Sequence, residues 1–142
     1  MYSLDILSFH PGRQHNLEQA RQINRYFKRF RHFTSLYFNP SFIKRVGKIS
    51  PFMEKVLGRR SMAFDSRHLI VTHMLPELNL LIKRIIGKKL KYPDFISRNA
   101  SYQDWLLKKH LPPKICIGYD GSSWKVFESW KNKSFLILDL AV

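Results

Sequence analysis

The chain has 142 residues, room for one folded domain, and 44% of them are apolar, enough to bury an ordinary core. Its formal charge of +15 is spread over clusters at 25–31, 83–91 and 108–114, which suits a phosphate-bearing partner (nucleic acid, sugar nucleotide or anionic membrane) without choosing among them. The single cysteine, Cys116, excludes an internal disulfide, and no run approaches the ~20 apolar residues that cross a bilayer.

Leu4 to Phe9 is an apolar run of strand length that breaks at Pro11-Gly12. Asp5 interrupts it and no basic leader precedes it, so no signal peptide is read there, and a soluble or peripheral protein is expected, cytoplasmic or at the inner face of the membrane. After a polar turn, Asn16 reads as an N-cap with Gln19 as its reciprocal partner. Leu17, Ala20, Ile23 and Phe27 then recur at helical spacing to about Phe30, with Phe27 and Phe30 expected in the core and basic residues on the outer face. His32 to Phe38, aromatic and β-branched, reads as a second strand that stops at Asn39-Pro40. A helical segment over Phe42 to Leu57, broken by Pro51, leads through a polar connection with Arg59, Arg60 and Asp65 to a short third strand over His68 to Thr72. Pro76 at N1 and Glu77 in the first turn open the next helix, whose apolar stripe is Leu78, Leu81, Ile82, Ile85 and Ile86 and which Gly87 ends.

Tyr92-Pro93 punctuates the chain, and a helix over about Phe95 to His110 buries Phe95, Tyr102, Trp105 and Leu106 before Pro112-Pro113 stops it. Lys114 to Tyr119 is a fourth strand, with Cys116 in it as a buried, inert thiol. Beyond Asp120-Gly121-Ser122-Ser123 a helix spans about Trp124 to Lys131. Ser134 to Leu140 then forms an almost wholly apolar strand, of the kind buried on both sheet faces. The sequence stops at Ala141-Val142 with no helix to cover that strand, which reads as a truncation. Strands separated by helices imply right-handed parallel crossovers. The expected fold is therefore α/β, a Rossmann-like parallel five-stranded sheet in the order 3-2-1-4-5 with helices on both faces.

Ligands of such sheets bind where the strand order reverses, outside the carboxyl ends of strands 1 and 4. The loops there supply the candidate binding residues: His10, Gly12, Arg13, Gln14 and His15 from the first, Asp120, Ser122 and Ser123 from the second. A guanidinium for phosphate, imidazoles for hydrogen bonding or proton transfer, and a carboxylate with two hydroxyls suit a phosphorylated, hydroxylated substrate. Helix capping alone accounts for Ser122 or Ser123, and plain loop decoration for a pair of histidines. The Pro-Gly turn, and Arg13 lying between the histidines, favour binding. His73 could line the same crevice, although a histidine at a strand end is more often structural.

Gly12 belongs to neither GxGxxG nor GxxxxGK[ST], which disfavours dinucleotide and P-loop chemistry. Neither zinc-ligand spacings nor a GxSxG elbow occurs, so no metal is expected and no catalytic residue is assigned. The basic, aromatic stretch Arg25 to Arg31 supports an alternative, a nucleic-acid-binding α/β domain, but RRM, KH and helix-turn-helix signatures are missing. A response-regulator-like domain would want an acidic cluster at the strand ends, and none is present.

His10-Pro11-Gly12-Arg13-Gln14-His15 closely resembles the first loop of bacterial-type glycosyltransferases of family 4. The resemblance runs in order through Thr34-Ser35-Leu36-Tyr37, the stretch Val71 to Leu78, Ile117 to Ser123 and Leu138-Asp139; the first and fourth of these five segments are the specific ones. It implies the amino-terminal, acceptor-side half of a GT-B fold in a retaining glycosyltransferase. A nucleotide sugar would be the co-substrate, with no other cofactor and a glycan or lipid-linked acceptor. A carboxy-terminal domain would hold the donor, and no nucleic acid is expected. Apart from the resemblance, the basic surface leaves an anionic membrane open as a further expected partner. Two departures are that Gly121 stands where relatives often have Thr, and that the Gly-His-Pro segment expected after strand five lies beyond Val142.

Overall fold

A computed structural model describes residues 6–11, 14–61 and 68–140, with backbone alone for 14–16. The first half of the chain forms β1 (Ile6–Phe9), α1 (Gln14–Tyr26), β2 (Phe30–Thr34), α2 (Pro40–Gly47), α3 (Pro51–Gly58) and β3 (Leu69–Val71). The second half forms α4 (Met74–Ile85), α5 (Tyr92–Lys109), β4 (Ile115–Tyr119), α6 (Trp124–Trp130) and β5 (Phe135–Asp139). All five strands pair in parallel in the order β3-β2-β1-β4-β5, the Rossmann-like α/β arrangement expected from the alternation of elements.

The period-two alternation of a strand divides the core into two layers. Leu7 and Phe9, with Phe33 and Cys116, face Tyr102 and Leu106 of α5 and Val126 and Trp130 of α6. Ile6, Phe30 and Ile117 face Ala20 of α1 on the opposite side. A third cluster of Leu36, Ile43, Val56, Leu57 and Leu81 joins α2, α3 and α4. Cys116 is fully buried, and burial pushes its thiol up to about 12, in keeping with an inert side chain.

Several boundaries differ from the sequence reading for identifiable reasons. α1 begins at Gln14, so Asn16 lies in its first turn and does not cap it; Gln19 bonds elsewhere, as described below. The helix also stops at Tyr26, because Phe30 is already paired with Ile6 in the sheet, and Phe27 is left half exposed outside the core. β2 ends at Thr34 where its partner β3 ends, at the pair Thr34↔Val71; Phe38 makes only an isolated bridge to Ser61. Pro51 does break the helical segment, with Ser50 Oγ accepting the Met53 N–H at 3.3 Å as cap of α3. α4 starts two residues ahead of Pro76, and α5 starts at Tyr92 with Phe95 and Trp105 only partly buried. Gly87 turns the chain away after α4.

Two further corrections concern large apolar surfaces. β5 lies at the sheet edge and is not buried on both faces: Phe135, Ile137 and Leu138 are exposed. On α4 the buried residues are Glu77, Leu80 and Leu81, while Leu78, Ile82 and Ile86 of the expected core stripe face solvent. The cause is Glu77, a fully buried carboxylate. Its Oε1 accepts from Nε of Arg60 at 3.1 Å and also from Nη2 of Arg60, and its Oε2 accepts from Nη1 of Arg98 at 2.6 Å. An unpaired buried charge is far costlier than an exposed leucine or isoleucine, so this ion triad sets the rotation of the helix.

His32 of β2 is buried with its Nδ1 2.7 Å from the hydroxyl of Ser8, its register partner in β1. Burial pulls its ring from the ordinary 6.5 down to about 3. The unfolded chain therefore binds this proton more readily than the folded one, and the stability held above pH 6.5 drains away as pH falls toward about 3. Burial shifts His73 and His110 in the same direction. Thermal melts from pH 7 downward are expected to show a falling midpoint across this window, less steep in a His32→Gln variant; parallel curves would show that His32 is not the group responsible.

Candidate functional site

The pairing of β1 with β4 puts the two loops of interest on neighbouring strand ends. At the first, the His10 N–H donates to the Phe33 carbonyl at 3.0 Å, extending the β1–β2 ladder by one residue. The His10 ring then stands edge-on to the ring of Tyr119, the last residue of β4, with centroids 5.4 Å apart. Pro11 beside it is buried. Tyr119 is itself buried, and its hydroxyl donates to Oε1 of Gln19, tying β4 to α1. Burial, with Asp139 nearby, raises that hydroxyl well above its ordinary value, so it stays a donor.

The second loop is a tight turn. The Ser122 N–H donates to the Tyr119 carbonyl at 3.1 Å, and the Asp120 N–H to the Asp139 carbonyl at 3.2 Å. Gly121 sits at φ +69, in the left-handed region where an L side chain is strained, which explains glycine at this position. Gly118, just before the turn, has no space for a Cβ, which would lie 2.4 Å from the Ser123 Cβ and 2.6 Å from the Phe127 ring. α6 is thereby packed close against the end of β4.

The seryl hydroxyls do not cap α6. Ser122 and Ser123 are buried, and both hydroxyls donate to the Tyr119 carbonyl, at 3.1 and 2.9 Å. The cap comes from α5: Oε1 of Gln103, fully buried, accepts the backbone N–H of Lys125 at 2.8 Å and that of Val126 at 3.3 Å. One turn earlier, Nδ2 of Asn99 donates to the Gly121 carbonyl at 2.5 Å, and the Asn99 carbonyl accepts from Nε2 of Gln103 at 3.2 Å. Two amides spaced i, i+4 on the buried face of α5 thus hold the turn from beneath.

Of the candidate residues, His10 and the Asp120–Ser123 turn come to neighbouring strand ends, His10 against the Tyr119 ring that leads into the turn. Asp120 and Gly121 are exposed, and Ser122 and Ser123 are buried. Gly12 and Arg13 lie outside the described residues; Gln14 and His15 fall in the first turn of α1, their side chains outside the description. His73 is not at these strand ends, because β3 lies two strands from β1. It precedes α4 at φ 51, with Nε2 2.7 Å from the Ser101 hydroxyl, and lines with Trp105, Asp104 and Lys108 a separate open groove of about 500 Å³.

Sequence reasoning missed Tyr119, Gln19, Asn99 and Gln103. The signal for the last two was there: amides interrupting the face that carries Tyr102 and Leu106, where buried polar groups need partners. Among the described residues no three His, Cys, Asp or Glu side chains gather to hold a metal. The chain matches no family model, no curated protein and no solved structure.

Gln103→Leu removes the acceptor of two buried backbone donors and is expected to cost about 1–3 kcal/mol. Thermal denaturation measures the loss, and amide hydrogen exchange at Lys125 and Val126 should quicken more than exchange in β1. Unchanged exchange at those two amides would show that the turn is held by something else.

Proposed function

We propose that this chain is the acceptor-side domain of a retaining glycosyltransferase of the GT-B type. It would work with a second Rossmann-like domain that binds the nucleotide sugar, and transfer the sugar to a glycan or lipid-linked acceptor. The observation that carries the reading is the β1–β4 switch point, where His10 stands against Tyr119 and Asp120, the next residue, is exposed. A switch-point crevice is where open α/β sheets bind ligands, and this one combines an imidazole with a carboxylate able to accept from sugar hydroxyls. Arg13, between His10 and His15 in sequence, is the proposed phosphate-binding group, and the resemblance of His10 to His15 to the family's first loop supports it. A cytoplasmic setting goes with the reading, since the one cysteine is a buried free thiol that asks for no oxidising compartment.

In this role the rigid turn matters more than any single side chain. The backbone bonds of residues 120–123, their support by Asn99 and Gln103, and the close packing at Gly118 hold Asp120 in place before substrate arrives. Such preorganisation spares the binding free energy otherwise spent on ordering a loop.

By this proposal, the chain alone turns over no nucleotide sugar, because donor pocket and water exclusion require both domains. With the donor domain joined, Asp120→Ala and Arg13→Ala should each lower kcat/KM for the acceptor by about 1.5–3 kcal/mol in activation terms while the melting temperature holds. Steady-state kinetics over a panel of nucleotide sugars and acceptors provide the measurement. Turnover by the isolated chain, or unchanged kinetics in both variants, would defeat the proposal. Sequence-selective oligonucleotide binding at physiological salt would turn it toward the nucleic-acid reading.

A further inference from the structure

We propose that Ser101 and His73 form a nucleophile–base pair that hydrolyses small carboxylic esters in the groove beside α5. Nε2 of His73 lies 2.7 Å from the Ser101 hydroxyl, within the reach that lets a base take the proton of an attacking hydroxyl. Both side chains line an open groove of about 500 Å³ together with Ser97, Asp104, Trp105 and Lys108. The chain holds another pair of the same kind at the same distance, Ser8 and His32, but that one is sealed in the core where no substrate reaches it. Access, and not the hydrogen bond, sets His73 and Ser101 apart.

The histidine is held for the task. Among the described residues His73 is the one non-glycine at positive φ, at 51°, a strained backbone of the sort that gathers at functional sites. Its ring lies along that of Trp105, with centroids 6.3 Å and planes 27° apart, which limits how it can turn. Burial lowers the imidazole from its ordinary 6.5, so the ring is neutral at pH 7 and, with its proton on Nδ1, accepts at Nε2. The acid in the groove is already occupied: both oxygens of Asp104 accept from Nζ of Lys125, at 2.8 and 2.7 Å.

In the reaction, Ser101 Oγ attacks the ester carbonyl carbon as its proton passes to His73 Nε2. The tetrahedral intermediate collapses by releasing the alcohol, which leaves with that proton, and the acyl group stays on Ser101 as an ester. Water then attacks the acyl carbonyl while giving a proton to His73; the carboxylic acid leaves and Ser101 regains its proton from the imidazolium. α4 begins at Met74, directly after the base, and takes no side-chain cap, so the first-turn N–H groups of Met74 and Leu75 supply donors for the oxyanion. Trp105 offers apolar surface to the acyl group, and Lys108 favours an ester that carries a negative charge. None of this depends on what the switch-point crevice binds.

The test is labelling of the full chain with a fluorophosphonate, which phosphonylates activated serines, read by mass spectrometry of its peptides alongside nitrophenolate release from 4-nitrophenyl acetate. Label is expected on Ser101, and Ser101→Ala should abolish both signals. His73→Asn removes the base with a residue that tolerates the left-handed backbone, and should slow labelling and ester turnover by about a hundredfold. Circular dichroism checks that these variants stay folded. Ser101→Cys gives a second readout that needs no ester. Cys116 is buried with its thiol pushed up to about 12, so iodoacetamide reports the introduced thiol alone, and adding His73→Asn should slow its alkylation by about tenfold or more. Absence of label on Ser101 would overturn the proposal. Labelling and alkylation indifferent to His73→Asn would do the same, leaving the pair as a structural bond between α4 and α5.

Discussion

The buried carboxylate of Glu77 is the constraint from which much of the arrangement follows. It binds a guanidinium from the connection after α3 and another from the middle of α5, so three elements distant in sequence meet at one point. Arg60 extends the reach further, because its backbone carbonyl accepts the Phe38 N–H at 2.9 Å and holds the exit from β2. Ion pairs of this kind contribute little net stability against a well-packed apolar substitute, but an orphaned partner is expensive, by about 3–5 kcal/mol. Their effect is to specify: only one rotation of α4 and one placement of α5 satisfy the carboxylate. The aliphatic stripe of α4 is exposed as the other side of that choice.

α5 carries the same logic across the sheet. Its Arg98 answers Glu77, while its Asn99 and Gln103 answer the turn after β4. Tyr102 and Leu106 on the buried face fix the helix against β1 and β2. One helix thus connects the basic, apolar outer surface around α4 with the crevice at the centre of the sheet. The crevice owes its rigidity to amides that a ligand would never touch.

Much of the fold was legible because local signals and tertiary demands agreed. Pro11 after Phe9, Pro51 inside an apolar helical pattern and Gly87 after Ile86 all punctuate the chain where expected, and alternating apolar runs and amphipathic segments required a parallel sheet. The failures came where the same local pattern serves two environments. The run Phe135 to Asp139 reads alike as a central or an edge strand, because strand composition does not reveal what lies alongside. The stripe of α4 reads as core until Glu77 is known to have two buried partners. Ser122 and Ser123 look like helix caps until a glutamine from another helix takes the role. Of the candidate site, the neighbouring of His10 and Asp120 followed from strand order, whereas the support from Asn99 and Gln103 depends on a packing that sequence spacing does not encode.

The exposed β5 edge has a bearing on how the molecule behaves in concentrated solution. A strand with Phe135, Ile137 and Leu138 uncovered and one row of backbone groups open to solvent is a template on which another strand can add. What opposes that addition is the whole-molecule charge of +15, a repulsion that acts between copies at a distance. Beyond the single acid Asp139 at the end of β5, colloidal solubility therefore rests on electrostatics of long range. The screening length falls to about 10 Å at 0.1 M ionic strength, and a polyanion neutralises the charge outright, so high salt or added polyanion brings the edges within reach of each other.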